Sequence, residues 1–340
     1  MEKMSAAFKY YSFCNRKFEF RDNFKKLTLI SYRLFTIAIF LLMGVEFAWA
    51  QQEPMYSQNN FDRLLTNPAY AGSSNWIVSS LKYRNQFVGI QGAPVTQTFT
   101  FHGPIQSKYM GYGLKLVNDK IGTTKQTNIT AIYSYHLGLA GGRLSFGLEG
   151  GIFNQSTDFA GLVKKDQIDN ALPSGNLSVL KPDASFGIQY QAKDFYGGFA
   201  VSHLFTKSIN YSEIERAVTA RLFRHYFLTG GYIYDINSNF SIQPNFLLKI
   251  TSSAPMQLDF YTNFMMYEKF ILGAGYRTGD ALSFIAKYHI TDELRISYSY
   301  DYTLSKLASY SSGAHEIMIR YGIKLLPPPA AKEIHPRYYF

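Results

Sequence analysis

Apolar and polar residues alternate one by one through residues 282–302. Successive side chains of a strand point to opposite faces, so 282–290 and 294–302 are predicted to be two strands, each with one apolar face. A turn over 291–293 would place Tyr288 opposite Ile296, so that the two apolar faces coincide. The apolar positions are Leu282, Phe284, Ala286, Tyr288 and Ile290, then Leu294, Ile296, Tyr298, Tyr300 and Tyr302.

Each predicted strand is long enough to cross an outer membrane. At ~3.3 Å per residue and a tilt near ~40°, about nine or ten residues cover an apolar band of ~25 Å. A water-soluble sandwich also alternates, but it rarely combines strands of this length with apolar faces that end in Tyr. The pattern therefore favours a membrane barrel.

The same alternation recurs along the chain and predicts an all-β fold, a transmembrane antiparallel up-and-down β-barrel of about fourteen strands. Long connections are expected at 85–95, 154–181, 206–224 and 303–314, and short turns at the other end of the strands. Short turns are typical of the periplasmic side, so both termini are expected in the periplasm. The other predicted strands are 77–84, 96–102, 109–118, 126–137, 143–153, 182–191, 195–205, 225–235, 241–250, 257–266, 270–277 and 315–324.

Four regions are predicted along the chain. Residues 1–50 are expected to be a signal peptide with a long amino-terminal region, because basic residues precede an apolar run that ends in Ala48-Trp49-Ala50. Residues 51–75 are polar and turn-rich, which indicates a periplasmic or lumen-entering segment. Residues 76–326 form the predicted barrel, and 327–340 a stiff periplasmic tail. These features predict the outer membrane of a Gram-negative cell.

Composition agrees with a barrel and argues against other classes. Aromatic residues make up 17% of the chain and charged residues only 17%, as expected for strands with one lipid-facing and one polar face. The net charge of +10 comes without a basic run, so no nucleic acid is expected as a partner. Cys14, the single cysteine, falls in the predicted signal peptide, so no disulfide is expected.

The sequence predicts no enzyme, cofactor or metal site. The seven histidines are scattered without the close spacing of metal ligands. His203 shares parity with Phe199 and Val201 and is therefore expected on the lipid-facing side, where the adjacent apolar faces offer no serine for a phospholipase.

Charges of both signs are predicted to face the lumen. They are compatible with a wet pore, as in a diffusion porin or solute channel, and equally with an interior cross-linked by ion pairs and closed by a folded segment. The predicted inward set is Lys82, Arg84, Lys115, Arg143, Glu149, Asp183, Lys249, Asp259, Arg277, Lys287, Arg295, Asp301, Glu316 and Arg320.

Four short motifs lie near the start of the predicted mature chain: Pro54-Met55-Tyr56-Ser57-Gln58, Asn67-Pro68-Ala69-Tyr70-Ala71-Gly72, Tyr83-Arg84-Asn85-Gln86-Phe87-Val88-Gly89-Ile90 and Gly92-Ala93-Pro94-Val95-Thr96. These motifs resemble the PorP/SprF family, whose members are outer-membrane components of the type IX secretion system. The resemblance implies a non-enzymatic role in delivering or retaining large secreted proteins, often adhesins, and a connection with gliding motility. It implies outer-membrane lipid, the periplasmic ring of the machinery and a large secreted adhesin as partners. The motif residues, which are candidates for partner binding or for closing the lumen, are Pro54, Ser57, Gln58, Asn67, Pro68, Ala69, Tyr70, Gly72, Tyr83, Arg84, Gln86, Gly89, Gly92 and Pro94.

These motif residues have two physical interpretations. Asn67, Pro68 and Gly72 set turns before the first strand, while Gly89, Gly92 and Pro94 fix an outer loop that could fold over or into the mouth. Alternatively, they only end strands and hold the amino-terminal edge of the barrel. The sequence leaves both open.

Overall fold

The structure, a computed structural model, describes residues 53–105, 109–160, 175–205, 208–210 and 219–325. The described residues all belong to one compact unit, Trp49–Phe340. The predicted signal peptide and carboxyl-terminal tail lie outside the described residues. Among the residues that are described, no helix is long and apolar enough to cross a membrane.

Antiparallel strands form a closed barrel, which confirms the predicted fold class. Strand β1 pairs with β2 on one side and with the last strand, β17, on the other, and β10 pairs with β12, which closes the ring. Strand β11 continues β10 beyond Ile233, and β8 and β9 form a separate hairpin, so fourteen of the seventeen strands make up the wall. The strands are β1 Trp76–Asn85, β2 Val95–Ile105, β3 Met110–Ile121, β4 Thr124–Leu139, β5 Gly142–Asp158, β6 Asn176–Gln191, β7 Phe195–Ser202, β8 Ser208–Asn210, β9 Thr219–Arg221, β10 His225–Tyr232, β11 Tyr234–Asp235, β12 Phe240–Thr251, β13 Ala254–Met266, β14 Phe270–Arg277, β15 Ala281–His289, β16 Leu294–Thr303 and β17 Ala314–Lys324.

The register between β15 and β16 is the predicted one, with Tyr288 opposite Ile296. Apolar residues on the predicted outer parity, such as Phe284 and Tyr302, are exposed, while the alternate residues, such as Ser283 and Asp301, are buried. The outer face therefore carries the apolar positions and the inner face the polar ones, as a barrel surrounded by lipid requires.

All long connections lie at one end of the barrel. Residues 86–94, 159–175, 203–224 and 304–313 connect strands there, together with the short turns 122–123, 252–253 and 278–280. We call this the long-loop end. The opposite, short-turn end has only the connections 106–109, 140–141, 192–194, 236–239, 267–269 and 290–293.

Two strands extend beyond their predicted limits, into the predicted long connection 154–181. Strand β5 continues to Asp158 and β6 already begins at Asn176. Their ends are joined by hydrogen bonds between polar side chains, Ser178 Oγ to Asn154 Oδ1 at 2.7 Å and Ser156 Oγ to Asn176 Oδ1 at 2.6 Å. The added residues of β5, 154–158, are polar on both faces, so the alternation that predicts a strand disappears there although the backbone pairing continues. In β6 the added Leu177 and Val179 pack against the buried cluster of Phe153, Phe159 and Leu222.

Strand β7 ends earlier than predicted, and this overturns the predicted position of His203. The strand stops at Ser202, and His203 adopts a left-handed conformation with φ of +55°. Its side chain is only 3% exposed and contacts the inward-facing Asp183. The prediction of a lipid-facing histidine was wrong, because parity along a strand has no meaning past the residue where the strand ends.

Candidate functional site: a segment inside the barrel

Residues 53–75, which we call the lumen segment, are enclosed by the barrel wall. The segment begins at the long-loop end, where Ser202 Oγ donates to Glu53 Oε1 at 3.3 Å. It finishes at the short-turn end, where Arg143 donates to Ser73 O at 2.7 Å and Leu325 N donates to Asn75 O at 2.9 Å. It therefore runs the length of the lumen before β1 starts. Most of its side chains are buried.

The first anchor of the segment is a buried network of charges around Ser57 and Gln58. Both side chains are 0% exposed. Glu316 accepts hydrogen bonds from the backbone N–H groups of Ser57 and Gln58 at 2.9 and 3.2 Å, and the Ser57 hydroxyl donates to Asp301 at 2.6 Å. Ser297 Oγ also donates to Gln58 Oε1. These bonds tie the segment to β16 and β17.

Basic residues from the wall complete this network. Arg84 lies 2.7 Å from Asp301 and 3.1 Å from Glu316, and it also donates to Ser57 Oγ at 3.0 Å. Arg277 contacts Asp301 at 3.5 Å and donates to the Tyr56 carbonyl oxygen at 3.1 Å. A buried charge is stable only when it is paired and hydrogen-bonded. The segment and the wall satisfy each other's polar groups here.

The second anchor is the turn Asn67-Pro68-Ala69. Asn67 Oδ1 accepts from Ala69 N at 2.9 Å and caps the short 3₁₀ helix Pro68–Tyr70, while Asn67 Nδ2 donates to Ile188 O at 3.0 Å. The turn lies against glycines of the wall. A Cβ at Gly147 would overlap the backbone of Pro68 and Ala69, and one at Gly187 would overlap the Asn67 amide. Glycine is required at these positions because the backbone of the segment approaches the wall so closely.

The third anchor is Tyr70-Ala71-Gly72 near the short-turn end. The Tyr70 ring meets His102 edge to face at 5.4 Å, and Gly72 N donates to His102 Nδ1 at 3.3 Å. Ser134 Oγ donates to Ala71 O at 2.6 Å. Ser134 also lies 3.3 Å from His136 Nε2, but this Ser and His pair is buried and its hydroxyl already holds the segment. The Ser134 hydroxyl thus joins β4 to the backbone of the segment.

Apolar packing supplements these polar anchors. Phe61 packs with inward-facing residues of β13, β14, β15 and β17, and Leu64 packs with Tyr70, Ala71 and Ile132 of β4. The residues around Phe61 are Tyr261, Met265, Ile271, Ile285 and Met318. The segment is therefore fixed by burial of apolar surface as well as by charge.

The remaining motif residues fall outside the lumen segment. Tyr83 is exposed on the outer face, whereas its neighbour Arg84 joins the buried network. Gln86 is buried and its backbone N–H donates to Pro94 O at 2.9 Å. Gly89 and Gly92 have φ of +103° and +76°, which favour glycine, and Gly92 O accepts from Gly122 N at 2.8 Å. These loop residues lie along the rim of the long-loop end.

A cluster of two histidines and a carboxylate lies where the lumen segment begins. His203 Nε2 is 2.7 Å from Glu53 Oε1, and His203 Nδ1 is 2.7 Å from Asp183 Oδ2. One ligand atom from each of Glu53, His203 and His225 lies within 4.8 Å of the other two. Burial acts to raise the pKa of Glu53, but the hydrogen bond and the charge of His203 outweigh burial, and the pKa falls below its usual range. The Glu53 side chain is therefore in its ionised, carboxylate form at neutral pH.

This cluster cannot be seen in the sequence. Glu53 is far from His203 and His225 along the chain. The two histidines lie at opposite ends of the long connection between β7 and β10. Closure of the barrel and the turn at His203 bring them together. A cavity of about 40 Å³ adjoins the cluster and is lined by Pro54, Lys115, Asp119, Glu149 and Asp183, among others.

Comparisons with known proteins find one matching family model and several similar solved structures. The family model described as type IX secretion system membrane protein PorP/SprF matches residues 48–321. No curated protein matches the chain. Among solved structures, the chain is similar to the toluene transporter TbuX of Ralstonia pickettii, with 10% identity over 77% of this chain and 93% of that chain and a TM-score of 0.48.

Two further solved structures are similar to the chain. For the monoaromatic hydrocarbon channel CymD the identity is 12%, over 84% of this chain and 96% of that chain, with a TM-score of 0.48. For the toluene transporter TodX of Pseudomonas putida the identity is 11%, over 82% of this chain and 96% of that chain, with a TM-score of 0.46.

Proposed function

Because this chain belongs to the PorP/SprF family of type IX secretion system membrane proteins, we propose that it is a non-enzymatic partner of that system which delivers or retains large secreted proteins at the cell surface. Adhesins are the class of substrate that we favour. The family and the barrel establish a type IX secretion protein of the outer membrane. The substrate and the manner of its delivery are the proposal.

The observation that carries the proposal is the occupied lumen. A diffusion porin needs a continuous aqueous path, whereas here Ser57 and Gln58 are fully buried against Asp301, Glu316 and Arg84. The segment supplies the Ser57 hydroxyl and the Ser57 and Gln58 N–H groups to Asp301 and Glu316. Leaving a buried polar group without its hydrogen bond costs about 1–3 kcal/mol, and more for a charged group, so these bonds favour a segment that stays in place. A closed lumen suits a protein that acts on large substrates through its surfaces better than one that conducts small solutes.

We place the short-turn end in the periplasm, as is usual for bacterial barrels. Strand β17 then finishes on the periplasmic side. The lumen segment enters β1 from that side, but its first described residue, Glu53, lies at the outer end of the lumen beside Ser202. The predicted position of both termini in the periplasm concerns residues outside the described ranges and stays a prediction. The short turns would face the periplasmic ring of the machinery.

The long-loop end would meet the secreted protein. The connection between β16 and β17 exposes apolar side chains there, Leu304, Leu307 and Tyr310, with Tyr310 75% exposed. Exposed apolar clusters of this kind favour contact with another protein or with lipid. Outward-facing residues such as Leu272 and Ile317 would contact the lipid of the membrane.

The test combines secretion and permeability in one set of strains. Deleting the gene should remove one or a few large proteins from the cell surface and leave the uptake of small solutes nearly unchanged, and the wild-type gene should restore the missing surface proteins. Surface proteomics and liposome swelling with the purified protein are the measurements. Fast sugar flux through the wild-type protein, together with an unaltered surface proteome, would show that it is a diffusion porin.

A further inference from the structure

We infer that Glu53, His203 and His225 bind one divalent transition-metal ion, with Zn²⁺ as the best fit, and that this ion fastens the start of the lumen segment to the barrel wall. The three ligand atoms already lie within 4.8 Å of one another. Two imidazole nitrogens and one carboxylate, with water in the remaining position, are a common ligand set for Zn²⁺. Mg²⁺ and Ca²⁺ prefer sites made only of oxygen atoms.

Each histidine is held by a hydrogen bond to the nitrogen that faces away from the proposed ion. His203 Nδ1 bonds to Asp183 Oδ2 at 2.7 Å, which leaves Nε2 facing Glu53. His225 Nδ1 bonds to the Phe223 carbonyl oxygen at 3.1 Å, which leaves its Nε2 as the nitrogen for the ion. Such contacts from a carboxylate or a carbonyl fix the tautomer and the ring orientation of metal-bound histidines.

The backbone of His203 and the surroundings of the cluster also suit the binding of a metal ion. His203 is turned into the lumen by a left-handed conformation that only a few per cent of residues other than glycine adopt. The adjoining cavity of about 40 Å³ has room for a water ligand, and Lys115, Asp119 and Glu149 are among the polar side chains that line it. Glu53 belongs to an irregular segment and its side chain is 29% exposed, so it can make the small movement that ligation needs. Two ligand atoms ~2.1 Å from an ion at the tetrahedral angle are ~3.4 Å apart, against the present 2.7 Å between His203 Nε2 and Glu53 Oε1.

The competing explanation is a protonated His203 that bridges Glu53 and Asp183 without any ion. It accounts for both 2.7 Å contacts of His203. It gives no role to His225, whose ring lies 5.9 Å from that of His203. His225 therefore distinguishes the two explanations.

The experiment is a Zn²⁺ titration of the full-length protein, purified from outer membranes and stripped with a chelator. Calorimetry should show one Zn²⁺ per chain. Asp183→Asn should weaken binding about 10–100-fold, because it removes the residue that orients His203. His225→Ala, which removes a ligand, should weaken binding by more than that. His315→Ala is the matched control and should bind as the wild type does, because His315 lies against Tyr298 and Tyr300 on another part of the barrel.

Heat-modifiable migration on gels would show that every variant is folded, and Zn²⁺ should raise the unfolding temperature of the wild type but not of His225→Ala. Absence of stoichiometric binding to folded wild-type protein would overturn the inference in favour of the protonated bridge. Binding that is the same in His225→Ala and the wild type would mean an adventitious ion only. Neither result would bear on the proposed role in secretion.

Discussion

Glu316 shows at the scale of single residues how the lumen is closed. It is fully buried, accepts from the backbone of Ser57 and Gln58, and pairs with Arg84. Glu316→Gln keeps the volume of the side chain but leaves Arg84 less compensated, so the free energy of unfolding should fall by about 3–5 kcal/mol. Urea unfolding in detergent, followed by heat-modifiable migration, measures the change.

Glu293→Gln is the control for that substitution, because Glu293 lies in an exposed turn. It should change the free energy of unfolding by less than about 0.5 kcal/mol. Equal midpoints for the two variants would mean that the buried network does not stabilise the protein.

The sequence predicted which charges face inward, but not which of them pair. Parity along each strand was enough to place Arg84, Asp301 and Glu316 on the inner face, and their burial confirms this. Their pairing depends on the contact between β1 and β17, the first and the last strand of the wall. Local pattern carries no information about such a contact. The same limit concealed the approach of Glu53 to His203 and His225.

At the scale of elements, the wall and the lumen segment fit each other through glycine. In β5, Gly147 faces inward against Pro68 and Ala69, whereas a Cβ at Gly150 would have no atom within 4 Å. Gly147→Ala should displace the turn at Asn67 and lower the free energy of unfolding by about 1–3 kcal/mol, as overpacking does. Gly150→Ala removes a glycine from the same strand and should have little effect.

Unfolding midpoints and liposome swelling should both separate these two variants. Gly147→Ala should unfold earlier and, if the segment is displaced, conduct solutes faster than Gly150→Ala. If the two alanine variants behave alike, the segment does not lie against β5 as described.

The strands themselves were largely predictable, because lipid on one side and polar surroundings on the other impose strict alternation. The hairpin of β15 and β16 has the predicted faces and register. The prediction of strand limits failed where the strands leave the lipid and strict alternation is no longer required. The far part of β5 is polar on both faces, the far part of β6 packs Leu177 and Val179 against Phe153, Phe159 and Leu222, and β7 stops at Ser202 because of the conformation of His203. Whether residues 51–75 stay in the periplasm or enter the lumen was also open, since turn-rich polar sequence suits either place.

At the scale of the whole molecule, closure of the ring and occupation of the lumen are separate properties. The ring is held by backbone pairing between neighbouring strands and by the apolar outer face. The lumen segment adds contacts inside it but contributes no strand to the wall. The barrel should therefore be able to insert into the membrane without the segment. The contribution of the segment to closing the lumen and to secretion can then be measured separately.

Deleting residues 53–70 tests that separation. Without the segment, water can hydrate Arg84, Asp301 and Glu316. The diameter of a barrel grows with its number of strands, and fourteen lies much nearer to the sixteen of the open porins than to the eight of barrels filled by side chains, so we expect an aqueous path. The variant should still insert, because its outer face is unchanged, but it should pass sugars in liposome swelling where the wild type does not. Surface delivery of the secreted substrate should also weaken. Deleting residues 327–340, which are predicted to lie outside the lumen, is the control and should leave sugar flux unchanged. A folded variant without residues 53–70 that stays closed to sugars and delivers its substrate normally would show that the segment neither closes the lumen nor takes part in secretion.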